Sequence, residues 1–377
     1  MARRATRGTR PAIRGSMTAL VLNARSRDAE ESIRAALGAI YTATASVSMG
    51  NLCFVAFGGQ AGEDTVDVCL QIRDGPVFGD CEAESHPCEP TYFATAVERS
   101  PGVCLFFGGY DRFGRLSAKI QRAEQSLVLP TRRVVWRSFP VDAAGPSARL
   151  GCAAAADGGA VYVWGGFTES DGLEAVDDDL YRLSPGAGGA VYQAGQNADF
   201  LGVWTVVQVS GAKPHARAWH SFDSCGPGRL LLHGGVQDVG ATGVFGDLHV
   251  FEVATSTWSP VSATLPLRFG HAVASLEPGR LLVFGGATGA AAVANDFAVV
   301  EVDERLQSTV RTPTVTGAPI GQVGAALFAR RTAPQTYQLA LFGGWRLENG
   351  STPVAASITS SSDEEPGFEM WTGTLTG

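Results

Sequence analysis

The sequence predicts an all-β chain in which one strand-rich unit recurs six times, and three observations carry that expectation. A short apolar run closing on a pair of glycines occurs six times along the chain. Glycine makes up 47 of 377 residues, about 12% against a usual ~7%, with no collagen-like period, so the excess serves turns and close backbone approaches. The segments flanking each run recur too, in a fixed order, which is the signature of a repeat architecture.

Taken along the chain, the runs are Leu52–Gly59, Cys104–Gly109, Val161–Gly166, Leu230–Gly235, Leu281–Gly286 and Leu339–Gly344. Their first glycines fall at 58, 108, 165, 234, 285 and 343, so the spacing is 50, 57, 69, 51 and 58 residues. Each run is short, continuous and rich in branched or aromatic residues, as a strand buried on both faces reads. Periodicity alone does not separate such a strand from a buried helical segment; the length and the closing glycine pair favour strand. Ahead of three runs lies a proline–arginine lead-in, at Pro146–Arg149, Pro214–His220 and Pro266–His271. A strand of small residues follows, as in Cys152–Ala156 and Ala272–Ser275. After each glycine pair comes a variable loop, then a strand led by Asp or Asn, as at Asp179, Asp247 and Asn295. A strand bearing tryptophan closes the unit, at Trp136, Trp204, Trp258 and Trp371.

This pattern resembles the kelch repeat across nearly the whole chain. Kelch units of about 50 residues each form one four-stranded blade, so the resemblance implies an all-β, six-bladed kelch β-propeller. The physics agrees: one blade cannot bury both faces of its sheet, whereas six packed radially can, leaving only short outer edges. The match departs in places. Units 1 and 5 have no tryptophan, and unit 6 has no Asp-led strand. For closure of the ring, Phe368–Leu375 is the expected outer strand of the last blade because it carries Trp371, with Met17–Asn23 as its competitor. The expected organisation is a flexible basic arm over 1–27, a short amphipathic helix over 28–40 and the propeller over 41–377. The helix rests on Ala29, Ile33, Leu37 and Ile40 sharing a face, with Glu30 and Arg34 paired one turn apart.

Composition narrows the function. No apolar run approaches the ~20 residues of a membrane helix, and no membrane partner is expected. Seven cysteines are sparse and odd in number, which points to reduced thiols and a cytoplasmic setting. Residues 1–16 have the arginine-rich, acid-free composition of a transit peptide, which makes mitochondria the alternative location. Met17 is a second candidate start. The net charge is −8; since seven arginines and no acids lie in residues 1–27, the remainder carries −15. That disfavours nucleic acid as a partner of the propeller and leaves it open for the arm. Cys81, His86 and Cys88 lack a fourth ligand and the paired spacing of zinc modules, so no metal, cofactor or catalytic residue is assigned. The acidic segment 359–365 reads as a solvated loop.

The strands of a blade run antiparallel from the axis outward, so the lead-in to strand one and the exit from strand two share a face. That face collects Arg149, Arg217 and Arg268 at lead-ins, and Tyr110, Phe167 and Trp345 directly after glycine pairs. Arginine and aromatic residues are enriched at interface hot spots, and the longest loops lie on the same side. His220 and His271 sit at matching repeat positions, which suits scaffolding. The expected function is a non-catalytic scaffold or adaptor that binds a protein partner through these six residues on the loop face, and the resemblance to kelch-only proteins, the small-GTPase effector type among them, implies the same. A small-molecule or sugar enzyme with an axial site is one alternative, and a structural subunit anchored by the basic arm is another.

Overall fold

In the computed structural model, six sheets of four or five strands stand around one axis among the described residues. Those residues are 13–20, the strands within 45–85, 91–125, 134–169, 175–185, all but a few positions of 201–348, and the strands within 352–377. The expected helix over 28–40, His86, Cys88 and the acidic segment 359–365 lie outside them.

Each repeat unit supplies one blade, and its strands pair with their chain neighbours in antiparallel register. Blade 3 shows the plan: Ala153–Asp157 innermost, then Ala160–Trp164, Leu180–Ser184 and Val203–Val206. Blade 1 starts at Ala45–Met49, blade 2 at Thr95–Ser100, blade 4 at Ser221–Gly226, blade 5 at Ala272–Glu277 and blade 6 at Ala326–Ala333. These innermost strands touch in cyclic order, and the first meets the last, so the ring is closed.

The apolar runs form the second strand of each blade, where both faces meet a neighbouring blade. Ala160–Trp164 and Arg280–Phe284 are therefore buried at every position. The core is a series of seams between blades. Tyr162, Trp164 and Leu180 of blade 3 pack on Phe222, Leu232, Phe251 and Trp258 of blade 4, and the other face of blade 4 packs on blade 5 through Leu231, Val250, Leu281 and Val283. On the side away from the glycine pairs, polar staples cross the seams. Arg99 donates to the carbonyls of Gly159 and Leu201, Arg229 to that of Asp303, and Arg280 to that of Gly377.

The last blade corrects the expected closure. Its order is Thr314–Thr316, Arg14–Leu20, Met370–Thr376, Thr336–Phe342, Ala326–Ala333. The C-terminal strand is third, not outermost, so it fills the place the missing Asp-led strand left open. Trp371 lies opposite Leu341 on one side and Ala19 on the other. The N-terminal strand takes the outer position through a seven-residue antiparallel register from Arg14↔Thr376 to Leu20↔Met370. It also pairs in parallel with Thr314–Thr316, and Ile13 is buried against Leu375 and Leu341. The part of the basic arm from Ile13 to Leu20 is thus an integral strand and not a flexible tail. Two backbone ladders and one buried apolar anchor hold it.

Candidate functional site

The predicted site residues divide sharply. Arg149, Arg217 and Arg268 stand at the lead-ins of blades 3, 4 and 5, and all three are 0% exposed. Arg217 donates from Nε to the His215 carbonyl at 2.9 Å and from Nη1 to the Gly234 carbonyl at 3.0 Å. Its two terminal nitrogens meet the Asp247 carboxylate at 2.5 and 2.9 Å. Arg149 makes the matching bonds to Gly165 and Asp177 at 3.0 and 2.6 Å, and Arg268 to Gly285 and Asp296 at 2.9 and 3.0 Å. Meanwhile the backbone carbonyl of each arginine accepts from the second glycine of the preceding blade: Gly109 at 2.8 Å, Gly166 at 3.0 Å and Gly235 at 2.9 Å. Burial alone would raise Asp247, but the hydrogen bonds and charge of Arg217 and His249 hold its carboxyl well below the usual range. A guanidinium with its donors spent on its own blade and no surface left clamps the lead-in in place, while the arginine's carbonyl ties that lead-in to the preceding blade. The three arginines are removed from the partner-facing set for that reason.

The histidines are packed the same way. His220 lies edge-on to Trp164 at 5.1 Å, and His271 pairs with His233 across a 2.9 Å Nε2···Nδ1 contact. Burial, aided by Arg217, lowers His220 to about 3; burial and Arg268 do the same to His233. Burial also pushes the Cys152 thiol up to about 12.

Two positions beyond the lead-in arginines, the structure brings together residues the sequence argument missed. Phe93, Gly151, Trp219, Gly270 and Gly324 occupy equivalent places, with φ of 61°, 65°, 51°, 60° and 69°. The left-handed region suits glycine and costs an ordinary residue about 1–2 kcal/mol. Two of the five places nevertheless carry large aromatic residues. The backbone conformation is needed because these residues hand hydrogen bonds around the mouth of the axis. Trp219 N–H donates to Gly151 at 2.6 Å, Gly270 to Trp219 at 2.8 Å and Gly324 to Gly270 at 2.7 Å. The side chains of Phe93 and Trp219 are partly exposed there, 6.2 Å apart between ring centroids.

An aromatic chain extends from this pair. Tyr92 lies 5.5 Å from Phe93 and 5.3 Å from Tyr110. Phe167 and Phe269 support Trp219 at 5.2 and 5.9 Å. Phe167 is 0% exposed, so it too leaves the predicted set and serves as the floor under Trp219. Tyr110 is partly exposed and belongs to the cluster; burial and the charges of Tyr92 and Glu169 raise its hydroxyl. Trp345 begins a strand, Trp345–Glu348, that pairs with Thr352–Ala355, and its side chain lies outside the described residues.

Directly after Tyr110 comes a rigid hairpin tip. Asp111 is buried, and its carboxylate accepts the backbone N–H groups of Phe113 and Arg115 at 2.8 and 3.0 Å and two bonds from the Arg115 guanidinium at 3.0 and 2.8 Å. Burial would raise this carboxyl, and those bonds lower it instead. The tip presents Phe113, 62% exposed, with the Arg112 and Arg115 guanidinium carbons 4.8 and 4.9 Å from its ring centre. Below the mouth, the axis holds a cavity of about 260 Å³ lined by the first strands of blades 2 to 6. Among the described residues no group of three His, Cys, Asp or Glu could hold a metal ion.

Comparison with known proteins agrees with the architecture. Residues 42–264 match the family model described as the KLHDC2/KLHL20/DRC7 Kelch-repeats domain. The chain is similar to tip elongation aberrant protein 1 of Schizosaccharomyces pombe, 33% identical over 38% of this chain and 12% of that protein. It is similar to the chicken (Gallus gallus) Rab9 effector protein with kelch motifs, 36% identical over 31% of each chain. It is also similar to tRNA wybutosine-synthesizing protein 4 of Candida glabrata, 29% identical over 43% of this chain and 23% of that one. The alignments thus span under a third of each of these relatives' own length.

Proposed function

Because the chain belongs to the kelch-repeat family, we propose that it is a non-catalytic interaction scaffold whose loop face binds a protein partner. The observation that carries this reading is the partly exposed aromatic chain at the mouth, Tyr110, Tyr92, Phe93 and Trp219, built partly on left-handed backbone where neighbouring blades use glycine. Backbone strain retained under large, solvent-reaching rings is the mark of a functional surface. Rigid aromatic and arginine side chains are also what interface hot spots use. The Phe113 tip adds a second such element from the same blade. The Rab9-effector role in one relative's name makes a partner of that kind the first to test. The cytoplasm is the setting proposed for this activity.

The test is affinity purification from the native cell with wild type, Phe113→Ala and Tyr92→Ala. A stoichiometric protein partner whose affinity drops about 30-fold in the variants, as a loss of ~2 kcal/mol requires, supports the reading. Undiminished binding by both folded variants overturns the placement of the site.

A further inference from the structure

The axial cavity has a chemistry of its own. Its walls below the aromatic mouth are mostly small and apolar, including Ala94, Ala96, Ala154 and Ala325. Among its described lining residues one carboxylate stands alone: Asp223, third residue of the blade 4 inner strand, opposite Leu231. No hydrogen bond or salt bridge reaches Asp223 among the described residues, although carboxylates elsewhere in the propeller, Asp177, Asp247 and Asp296, are all taken by arginine. Burial alone pushes its carboxyl up to about 7. Asp223 follows Trp219 by four residues, up to about 13 Å of chain, and both line the same cavity.

We propose that this cavity binds a cation on an unbranched aliphatic stem, an ammonium or guanidinium, with the charge at Asp223 and the stem running between the alanine walls toward the aromatic mouth. The cation comes from a free amine or from a basic side chain inserted by a partner; the second source rests on the scaffold reading, the first does not. An anion is disfavoured, because it would face a carboxylate that no described cation neutralises. The other titratable groups lining the cavity, His220, His271 and Cys152, are held neutral by burial. Among the described lining groups Asp223 is therefore the one whose charge changes between pH 6 and 8, and binding should strengthen over that interval.

The test uses the full chain, titrated calorimetrically and by tryptophan fluorescence with n-butylammonium, agmatine, butyrate, 1-butanol and an alanine pentapeptide carrying one central arginine. The expected result is saturable binding of the amines, the peptide or both, at least tenfold weaker at pH 6 than at pH 8, with no response to butyrate. The isosteric Asp223→Asn should lose at least tenfold in affinity and its pH dependence while keeping the wild-type circular dichroism. Trp219→Gly, which restores the residue the neighbouring blades use, should weaken binding severalfold. Amine binding without peptide binding assigns the site to a small molecule, and peptide binding without amine binding assigns it to a partner's side chain. Equal binding of butanol and butylammonium, binding of butyrate, or an unchanged Asp223→Asn titration overturns the proposal. A partner released by Tyr92→Ala but retained by Asp223→Asn leaves the scaffold reading intact and rules out the partner's side chain as the source of the cation.

Discussion

Replacing Arg217 by alanine tests the assignment of the lead-in arginines to the scaffold. The side chain is 0% exposed and its guanidinium serves two backbone carbonyls and one carboxylate. Its removal strands the Gly234 carbonyl at a buried seam, a desolvation cost of about 1–3 kcal/mol. The guanidinium carbon also stacks 3.9 Å from the Phe245 ring centre, and losing that packing adds about 1 kcal/mol. Asp247 would be left unpaired; since its side chain is 35% exposed, water relieves much of that, and about 1 kcal/mol is the discounted share. The total is about 3–5 kcal/mol, equal to the usual cost of breaking a buried pair from one side. At about 1.3 °C per kcal/mol for a chain of this size, the thermal midpoint should drop by about 4–6 °C. Arg217→Lys should recover only part of this, because an ammonium cannot reproduce the planar fork. Thermal denaturation followed by circular dichroism reads the effect without any partner present. A midpoint within a degree of wild type would refute the clamp and return Arg217 to the partner-facing set.

Acid should weaken the fold from pH 6.5 downward. His220 and His233 titrate at about 3 when folded against 6.5 unfolded, so their contribution is complete above 6.5 and lost as pH falls; by pH 5 each costs about 2 kcal/mol. Asp223 works the other way. Its folded carboxyl at about 7 against 3.8 favours the folded state at low pH and offsets about 2 kcal/mol at pH 5. Urea unfolding at pH 7 and pH 5 should show a net loss of at least ~2 kcal/mol in wild type and a steeper one in Asp223→Asn; equal stability at both pH values would contradict the buried neutral histidines. Starting the chain at Met17 deletes Ile13, 4% exposed in the core, and the ladder of Arg14–Ser16 with Thr314–Thr316. The lost apolar burial alone is worth about 2 kcal/mol, and hydrogen exchange should rise selectively along Met370–Thr376; uniform exchange in both forms would deny the latch. Gly235→Ala should cost more than 2 kcal/mol in a thermal melt. Its φ is +103°, and a Cβ there would lie 2.9 Å from the Ala218 carbonyl oxygen and 2.8 Å from His220 Cβ; a melt like that of wild type would argue against the close approach.

The kelch-repeat architecture was legible in the chain because repetition multiplies a weak local signal. One run such as Val161–Trp164 is ambiguous between strand and helix, but six copies, each closing on a glycine pair, are not. The blade order, the second-strand cores and the scaffolding place of His220 and His271 followed from that alone. Part of the candidate site was legible in principle: aligning Arg217-Ala-Trp-His with Arg268-Phe-Gly-His shows Trp219 where its neighbour has glycine. Which arginines are free was not. Arg149 and Arg217 read as surface groups until Asp177 and Asp247, 28 and 30 residues further on, close around them; the lead-in arginine and the aspartate recur together, but spacing alone does not show that their side chains meet. Closure of the ring was decided by tertiary structure as well. Arg14–Leu20 and Met370–Thr376 are both good strands, and only the geometry of the last blade, with a third place empty and an outer edge to cover, makes one of them third and the other outermost. Local sequence specifies which segments are strands and which faces are apolar; the pairing of distant ends and the burial of a charge depend on what the folded ring places beside them.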